Sequence, residues 1–360
     1  MCIRDRDISN RTKIYFIGQK QGVGIHRIRL GNLENRRPFE AKGLLDANNS
    51  IYQVRSIKNA DIIWVRVRPE FTTDSERKKI EKRIHSRRSN THIINDISVF
   101  DNYDCKDTTF SIWKDNNINC PDFLSFTLDD LARSFDKCIN NVQAFIIKHS
   151  KVIIRTNNET GGNGMYILES KCSKKEIIDV LTILRIRCKA FIRKRSSTRI
   201  MCVQFINSDN TDELIDLYRV HISHGKIISY YAVTSRLDVF HSIDMNIDDK
   251  NKFISINEYL CSNISDMEQK ILPTAEALGC NIGAVEFLLK NNEPVFIEFN
   301  PMWGGNASKL GFGPEELRNY LENNRDSLEN RIPNIYQFTD YQHYYKSLYE
   351  GIHNYYRNST

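Results

Sequence analysis

The sequence predicts an α/β protein made of separate lobes, on three observations. Strand, helix and strand signals follow one another over residues 60–67, 71–88 and 91–94, the order that builds a parallel, Rossmann-like sheet. Further on, two pairs of apolar runs (214–223 with 226–234, and 282–289 with 294–299) flank short polar segments and read as β-hairpins. Between these regions, residues 156–164 (TNNETGGNG) form a glycine loop with strand signals on both sides.

A chain of 360 residues suggests two or three lobes. Its first six residues, MCIRDR, match a reading frame through a transposase adapter used in sequencing libraries, so they are set aside and the true N-terminus is expected to differ. Without Arg4, Asp5 and Arg6 the formal charge falls from +6 to +5, a mixed and solvated surface that requires no nucleic-acid partner. No apolar stretch approaches the roughly 18 residues of a membrane span. The cysteines are scattered without a Cys-x-x-Cys pair, which suggests reduced thiols in a cytoplasm. Homo-oligomerisation stays open.

In chain order, residues 12–17 are an apolar strand leading to Gly18-Gln-Lys-Gln-Gly22-Val-Gly24. That run reads either as a glycine-rich turn of an open α/β domain or as a phosphate loop opening a helix, although it lacks both Gly-Lys-Ser/Thr and a full Gly-x-Gly-x-x-Gly. The strand of residues 91–94 ends in Asn95-Asp96, a helix starts near residues 104–108 with Lys106 at its head, and Asn116-Asn-Ile-Asn-Cys-Pro121 turns back into an extended segment. Residues 128–139 are an amphipathic helix, 144–148 and 152–155 strands, and 165–168 the strand after the glycine loop. Three glycines in four residues let backbone N–H groups converge on an anion, although a hairpin loop has the same composition.

A helix over residues 173–184 leads into a basic segment, residues 185–199, read either as a solvated edge strand or as a surface attracting an acidic substrate. Residues 201–206 are a buried strand. The hairpin around His224-Gly225 carries Arg219 and leads to Arg236. A helix over residues 264–278, bent at Pro273, precedes the second hairpin; helices over 314–323 and 341–356 close the chain, the last packing through its tyrosines.

That second hairpin carries a carboxylate in each apolar strand. A three-residue turn at Asn291, Asn292 and Glu293 would set Glu286 opposite Glu298, with Asn300 two residues on and on the same face. Like charges in that position destabilise a sheet unless something compensates them, and Mg²⁺ or Mn²⁺, which take oxygen ligands, would do so. The competing reading is a solvent-facing hairpin side.

Taken together, the ordered signals over residues 93–308 resemble the ATP-grasp superfamily, and within it the glutathione synthetase-like carboxylate–amine ligases. The resemblance implies a Rossmann-like domain (7–103), two ATP-grasp lobes (104–203 and 204–325) and a C-terminal helical tail (326–360). It implies ATP contacts from Lys106, Arg155, Gly161, Gly162, Asn163 and Gly164, an adenine-reading hinge at Gln204, Phe205 and Ile206, and a ribose-binding acid at Asp209 or Asp212. Arg219 and Arg236 match arginines that cover phosphate and intermediate. Glu286, Glu298 and Asn300 match magnesium ligands, and Gly304, Gly305, Asn306 and Ser308 a substrate loop. One departure is plain: the family usually has lysine where Arg155 stands, and a forked guanidinium is not a point charge. The implied activity is ATP-dependent joining of a small carboxylate, with an acidic one fitting the basic segment, to an amine or thiol through an acyl phosphate. The alternatives are a small-molecule kinase of the same fold and a nucleotide-binding protein without chemistry.

Overall fold

Among the described residues three sheets carry the chain, and each meets the core in the way its residue pattern dictates. The computed structural model describes residues 12–20, 23–26, 51–53, 57–67, 72–87, 89–159, 164–207, 214–236, 247–301, 315–335 and 341–359. In the first sheet, β1 (Thr12–Lys20) pairs in parallel with β3 (Ile51–Gln53) and with β4 (Ile62–Arg66), and β4 pairs in parallel with β5 (His92–Ile94). All five residues of β4, Ile-Ile-Trp-Val-Arg, are buried, as a parallel strand covered on both faces requires. Helix α1 (Asp74–Ile84) covers the sheet with Ile80 and Ile84 and starts at a capping box between Thr73 and Glu76. This is the expected Rossmann-like lobe. Of the two readings of the glycine run, the pairing favours the turn: β1 runs on through Gly18 to Lys20 and pairs antiparallel with β2 (Val23–His26) rather than opening a helix.

The second sheet has the order β6-β9-β7-β8 with every pairing antiparallel: β6 (Phe123–Phe126), β7 (Lys151–Thr156), β8 (Tyr166–Glu169) and β9 (Ile200–Gln204). Before it come α2 (Phe100–Asp104) and α3 (Lys106–Asp115), and α4 (Leu128–Arg133), α5 (Phe135–His149) and α6 (Lys174–Ile192) pack against it. Two sequence readings are corrected. Residues 144–148 are helical, because Cys138, Ile139, Val142, Phe145 and Ile146 make one buried stripe at helical spacing. The basic segment is no edge strand: α6 continues to Ile192, and burial of Leu184 and Cys188 keeps the helical period through it.

The third sheet, ordered β11-β10-β12-β13, is also antiparallel, with β10 (Ile215–Ser223), β11 (Lys226–Ser235), β12 (Ile282–Lys290) and β13 (Glu293–Asn300). Its backing helix α7 (Lys250–Ala277) begins well before the expected start and holds Pro273 within it. Helices α8 (Glu315–Asn323), α9 (Arg325–Glu329) and α10 (Tyr341–Ser359) follow. Helix α10 buries Leu348, Tyr349 and Ile352, and its His353 meets Thr12 Oγ1 at 3.0 Å. One cluster of aromatic and aliphatic side chains joins the first sheet to the third and takes in β9, with Trp113, Phe287, Phe296 and Phe299 among its largest members. Among the described residues no helix is long and apolar enough to cross a membrane.

Phe299 lies over Gly283 on the neighbouring strand, where a Cβ would stand 2.6 Å from its Cε1 and closer still to Cζ. Gly283→Ala is therefore expected to cost about 1–3 kcal/mol, as overpacking of a filled core does. Urea unfolding measures it, and an unchanged midpoint would show that the ring shifts freely.

Candidate functional site

The site stands on the β12–β13 face, and a bulge sets its register. The strands are joined by two residues, Asn291 and Asn292, at φ 53° and 59°, rather than by the expected three; a two-residue turn of this hand matches the twist of the strands it joins. With that turn alone, Glu286 would face Ile297. Instead the ladder passes from Phe287↔Phe296 to Glu286↔Glu298, leaving Ile297 over, and continues to Ala284↔Asn300. The two carboxylates thus come opposite each other as the sequence reading required, by a different route.

On the other side, β10 places Arg219 directly across from Glu286. The Arg219 guanidinium donates to Glu286 Oε1, and its second arm donates to the Tyr231 hydroxyl at 2.9 Å. Asn300 Nδ2 donates to the same Glu286 oxygen at 2.8 Å. At the far end Lys106, the first residue of α3, reaches Glu298 Oε1 at 2.7 Å, and its backbone N–H donates to Asn157 O at 2.9 Å, just beyond β7. The face is therefore a row of alternating charge: Arg219, Glu286, Glu298, Lys106.

Burial and charge act on the two acids in opposite directions. Burial pushes the Glu286 carboxyl above the usual range and the Glu298 charge adds to that, against Arg219. Burial would raise Glu298 as well, but Lys106, Arg155 and Arg219 outweigh it and hold that carboxyl below the usual range. Burial pushes the Tyr231 hydroxyl up to about 12, so it stays neutral beside Arg219. With the Asn300 amide turned to present Oδ1 in place of the Nδ2 it now points at Glu286, the two carboxylates and the amide would offer an all-oxygen ligand set, the chemistry Mg²⁺ prefers.

A second acidic group, Asp101, Asp104 and Cys105, brings its ligand atoms together but is already spent on structure. Arg77 donates to both Asp101 oxygens, Arg195 pairs with Asp104, and burial pushes the Cys105 thiol up to about 12.

Of the other sequence-predicted residues, Arg155 lies on β7 near Glu298, but its guanidinium is turned onto the ends of the glycine loop. Gly164 closes that loop at φ 64°. Gln204 ties β9 to Asp122, its N–H donating to Asp122 O at 2.9 Å; Phe205 lies under Lys151 Nζ at 4.1 Å; Ile206 packs on Leu288 and Val295 of the third sheet. These residues follow β9 of the second sheet, ahead of β10 in the third. Arg236 is not brought to the carboxylates: it pairs with Asp249, Nη1 donating at 2.7 Å. Gly161, Gly162, Asn163, Asp209, Asp212, Gly304, Gly305, Asn306 and Ser308 lie outside the described residues.

Sequence reasoning missed Tyr231, Glu159, Arg187 and the partnership of Asn95 with Asn281. Asn95, at φ 51°, accepts on Oδ1 from the N–H groups of Asn281 and Ile282 at 2.9 and 3.1 Å. It donates through Nδ2 to Ile282 O at 2.7 Å. No local pattern marks such a pairing.

In sequence the chain matches no protein-family model and no curated protein. In structure it is similar to the D-alanine–D-alanine ligase from Bacillus anthracis, at a TM-score of 0.50 and 10% identity, with 97% of this chain and 99% of that one covered. It is also similar to the ATP-grasp ligase PsnB complexed with minimal precursor (TM-score 0.47, 11% identity, 82% and 91% covered). A third is a RimK domain protein, ATP-grasp, from Sphaerobacter thermophilus (0.44, 10%, 91% and 98%). The chain has the ATP-grasp fold, in the α/β class.

Lys106 is 12% exposed and Glu298 27%, so their pair lies between a surface contact and a buried one. Lys106→Met keeps the stem and removes the charge, leaving two facing carboxylates with Arg219 and Arg155 to compensate them. Metal-free stability is expected to fall by about 2–3 kcal/mol. Denaturant unfolding in EDTA measures it; a variant as stable as the parent would show that Lys106 does not compensate the acids.

Proposed function

We propose that the chain is an ATP- and Mg²⁺-dependent ligase that joins a carboxylate to an amine, or to a thiol, through an acyl phosphate. One observation carries the reading: two opposed carboxylates and an amide on a single strand face, bracketed by Lys106 and Arg219. A solvent-facing hairpin side needs no such bracketing.

Glu286, Glu298 and Asn300 would hold the ion, and Mn²⁺ would fit the same oxygens. Bound there, Mg²⁺ supplies charge neutralisation on the phosphates of ATP. Lys106 binds the terminal phosphate as a point charge, and Arg219, fixed by Tyr231 and Glu286, covers charge that develops on the transferred group. The hinge at Gln204, Phe205 and Ile206 suits the adenine. Chemically, a substrate carboxylate oxygen attacks the γ-phosphorus, the bond to the bridging oxygen breaks and ADP leaves. The amine then attacks the acyl carbon, the C–O bond to phosphate breaks, and the amine proton passes to solvent. Positioning does most of this, so no dedicated general base is required.

An acyl phosphate is captured by hydroxylamine and a phosphate ester is not. Carboxylate pools that trigger ADP release, incubated with ATP, Mg²⁺ and hydroxylamine, are expected to yield a hydroxamate with one ADP and one phosphate per turnover. A stable phosphorylated product without free phosphate would replace this reading with a kinase, and no ADP release from any pool would remove the catalytic reading. Glu298→Gln should abolish hydroxamate formation.

A further inference from the structure

We infer that Arg155, Glu159 and Arg187 form a staple that fastens both ends of the β7–β8 glycine connection, so that Arg155 serves as a positioning residue for that connection. The link from connection to nucleotide rests on the ligase reading; the staple itself does not.

Arg155 is 8% exposed, and its donors go to acceptors on both sides of residues 160–163. Before them, Nε donates to Thr156 O at 3.1 Å and Nη2 donates to Glu159 O. After them, Nη1 donates to Met165 Sδ at 3.2 Å. Only a planar fork can span two such ends; the three N–H groups of a lysine radiate from one point. The departure from lysine at this position thereby acquires a physical purpose.

The Glu159 carboxylate supplies the second half. It accepts from Thr156 Oγ1 at 2.5 Å and from Arg187, whose Nε stands 2.7 Å from Oε2 and whose Nη2 stands 2.5 Å from Oε1. Arg187 projects from α6, so the connection is tied to the helix that backs the sheet. Gly164 closes the arrangement: at φ 64° it passes so near that a Cβ would lie 2.8 Å from both Arg187 Nε and Glu159 Oε2. Glu159 is 7% exposed, a burial that an unpaired carboxylate would not tolerate. One member of the basic segment is thus a structural partner of the connection rather than a lure for acidic substrate. Holding both ends before ligand arrives lowers the ordering entropy that binding must overcome.

The test is hydrogen exchange of the full chain without nucleotide, followed by ATP titration with Mg²⁺. Arg155→Lys keeps the charge and loses the fork, and Arg187→Gln and Glu159→Gln each break the second half. Each is expected to speed exchange of peptides covering residues 156–166 about ten-fold, with β10–β13 unchanged and the double variant Arg155→Lys/Arg187→Gln adding little. ATP affinity should fall by a similar factor in all three. Unchanged local exchange in Arg155→Lys would overturn the staple and leave Arg155 as a simple charge for phosphate. Exchange rising equally throughout the chain would overturn it as well, since the residues would then only stabilise the fold. If the parent binds no nucleotide, the ligase reading fails while the exchange comparison still judges the staple.

Discussion

Two carboxylates face each other across the β12–β13 ladder, and much of the structure follows from the need to compensate them. Opposed like charges destabilise a sheet, and burial raises the cost, because each acid loses its water without gaining a partner from the other. Compensation comes from two directions. Arg219 arrives from the adjacent strand at the same level, so its placement needs only the β10–β12 register. Lys106 arrives from outside the sheet, at the first residue of a helix whose start is bound to Asn157 beyond β7. The Lys106–Glu298 contact therefore fixes the second sheet relative to the third as well as balancing charge.

The third sheet is held just as firmly at its open end. Asn95 leaves β5 in a left-handed conformation and accepts from two consecutive N–H groups at the start of β12, while Asn281 accepts from the Asn95 N–H at 3.1 Å. The exposed edge of β13 is closed too: Phe296 N–H donates to Asn119 O, and Asn119 Nδ2 donates to Pro294 O, both at 2.9 Å. The Asn-Ile-Asn-Cys-Pro turn, read from sequence only as a return into an extended segment, is in this structure the cap of an edge strand.

What the sequence made legible and what it hid divide along one physical line. Glu286 and Glu298 stood out because a charge interrupts a continuous apolar run, a local signal. The turn between them did not, since Asn-Asn-Glu suits two- and three-residue loops alike and a bulge at Ile297 leaves no mark in composition. Residues 144–148 were misread because a short apolar run fits strand and buried helix equally, and only the stripe beginning at Cys138 decides. Partnerships between distant segments were hidden altogether: Asn95 with Asn281, and Glu159 with Arg187, join residues on different elements whose types are common anywhere on a surface. Arg236 shows the converse, a residue placed by resemblance that here is paired with Asp249.

Rigidity at the site comes from two unlike sources. The carboxylate face lies on strands hydrogen-bonded on both sides or capped at the edge, so its geometry is set by the ladder and needs little further support. Lys106 and Arg155, by contrast, come from a helix start and from the strand that leads into the glycine connection, places where backbone pairing runs out. There, order has to come from side chains: Asn157 bridging Asp107 and the Arg199 N–H beside Lys106, and the Arg155 fork beside the loop. Under the proposed ligase reading, Lys106 is the cation that would meet the phosphate, whereas Arg155 acts through the connection it holds. On that reading, a stiff anionic floor with side-chain-tethered groups above it would keep the proposed metal ligands fixed while the cations adjust to a transferring phosphoryl group.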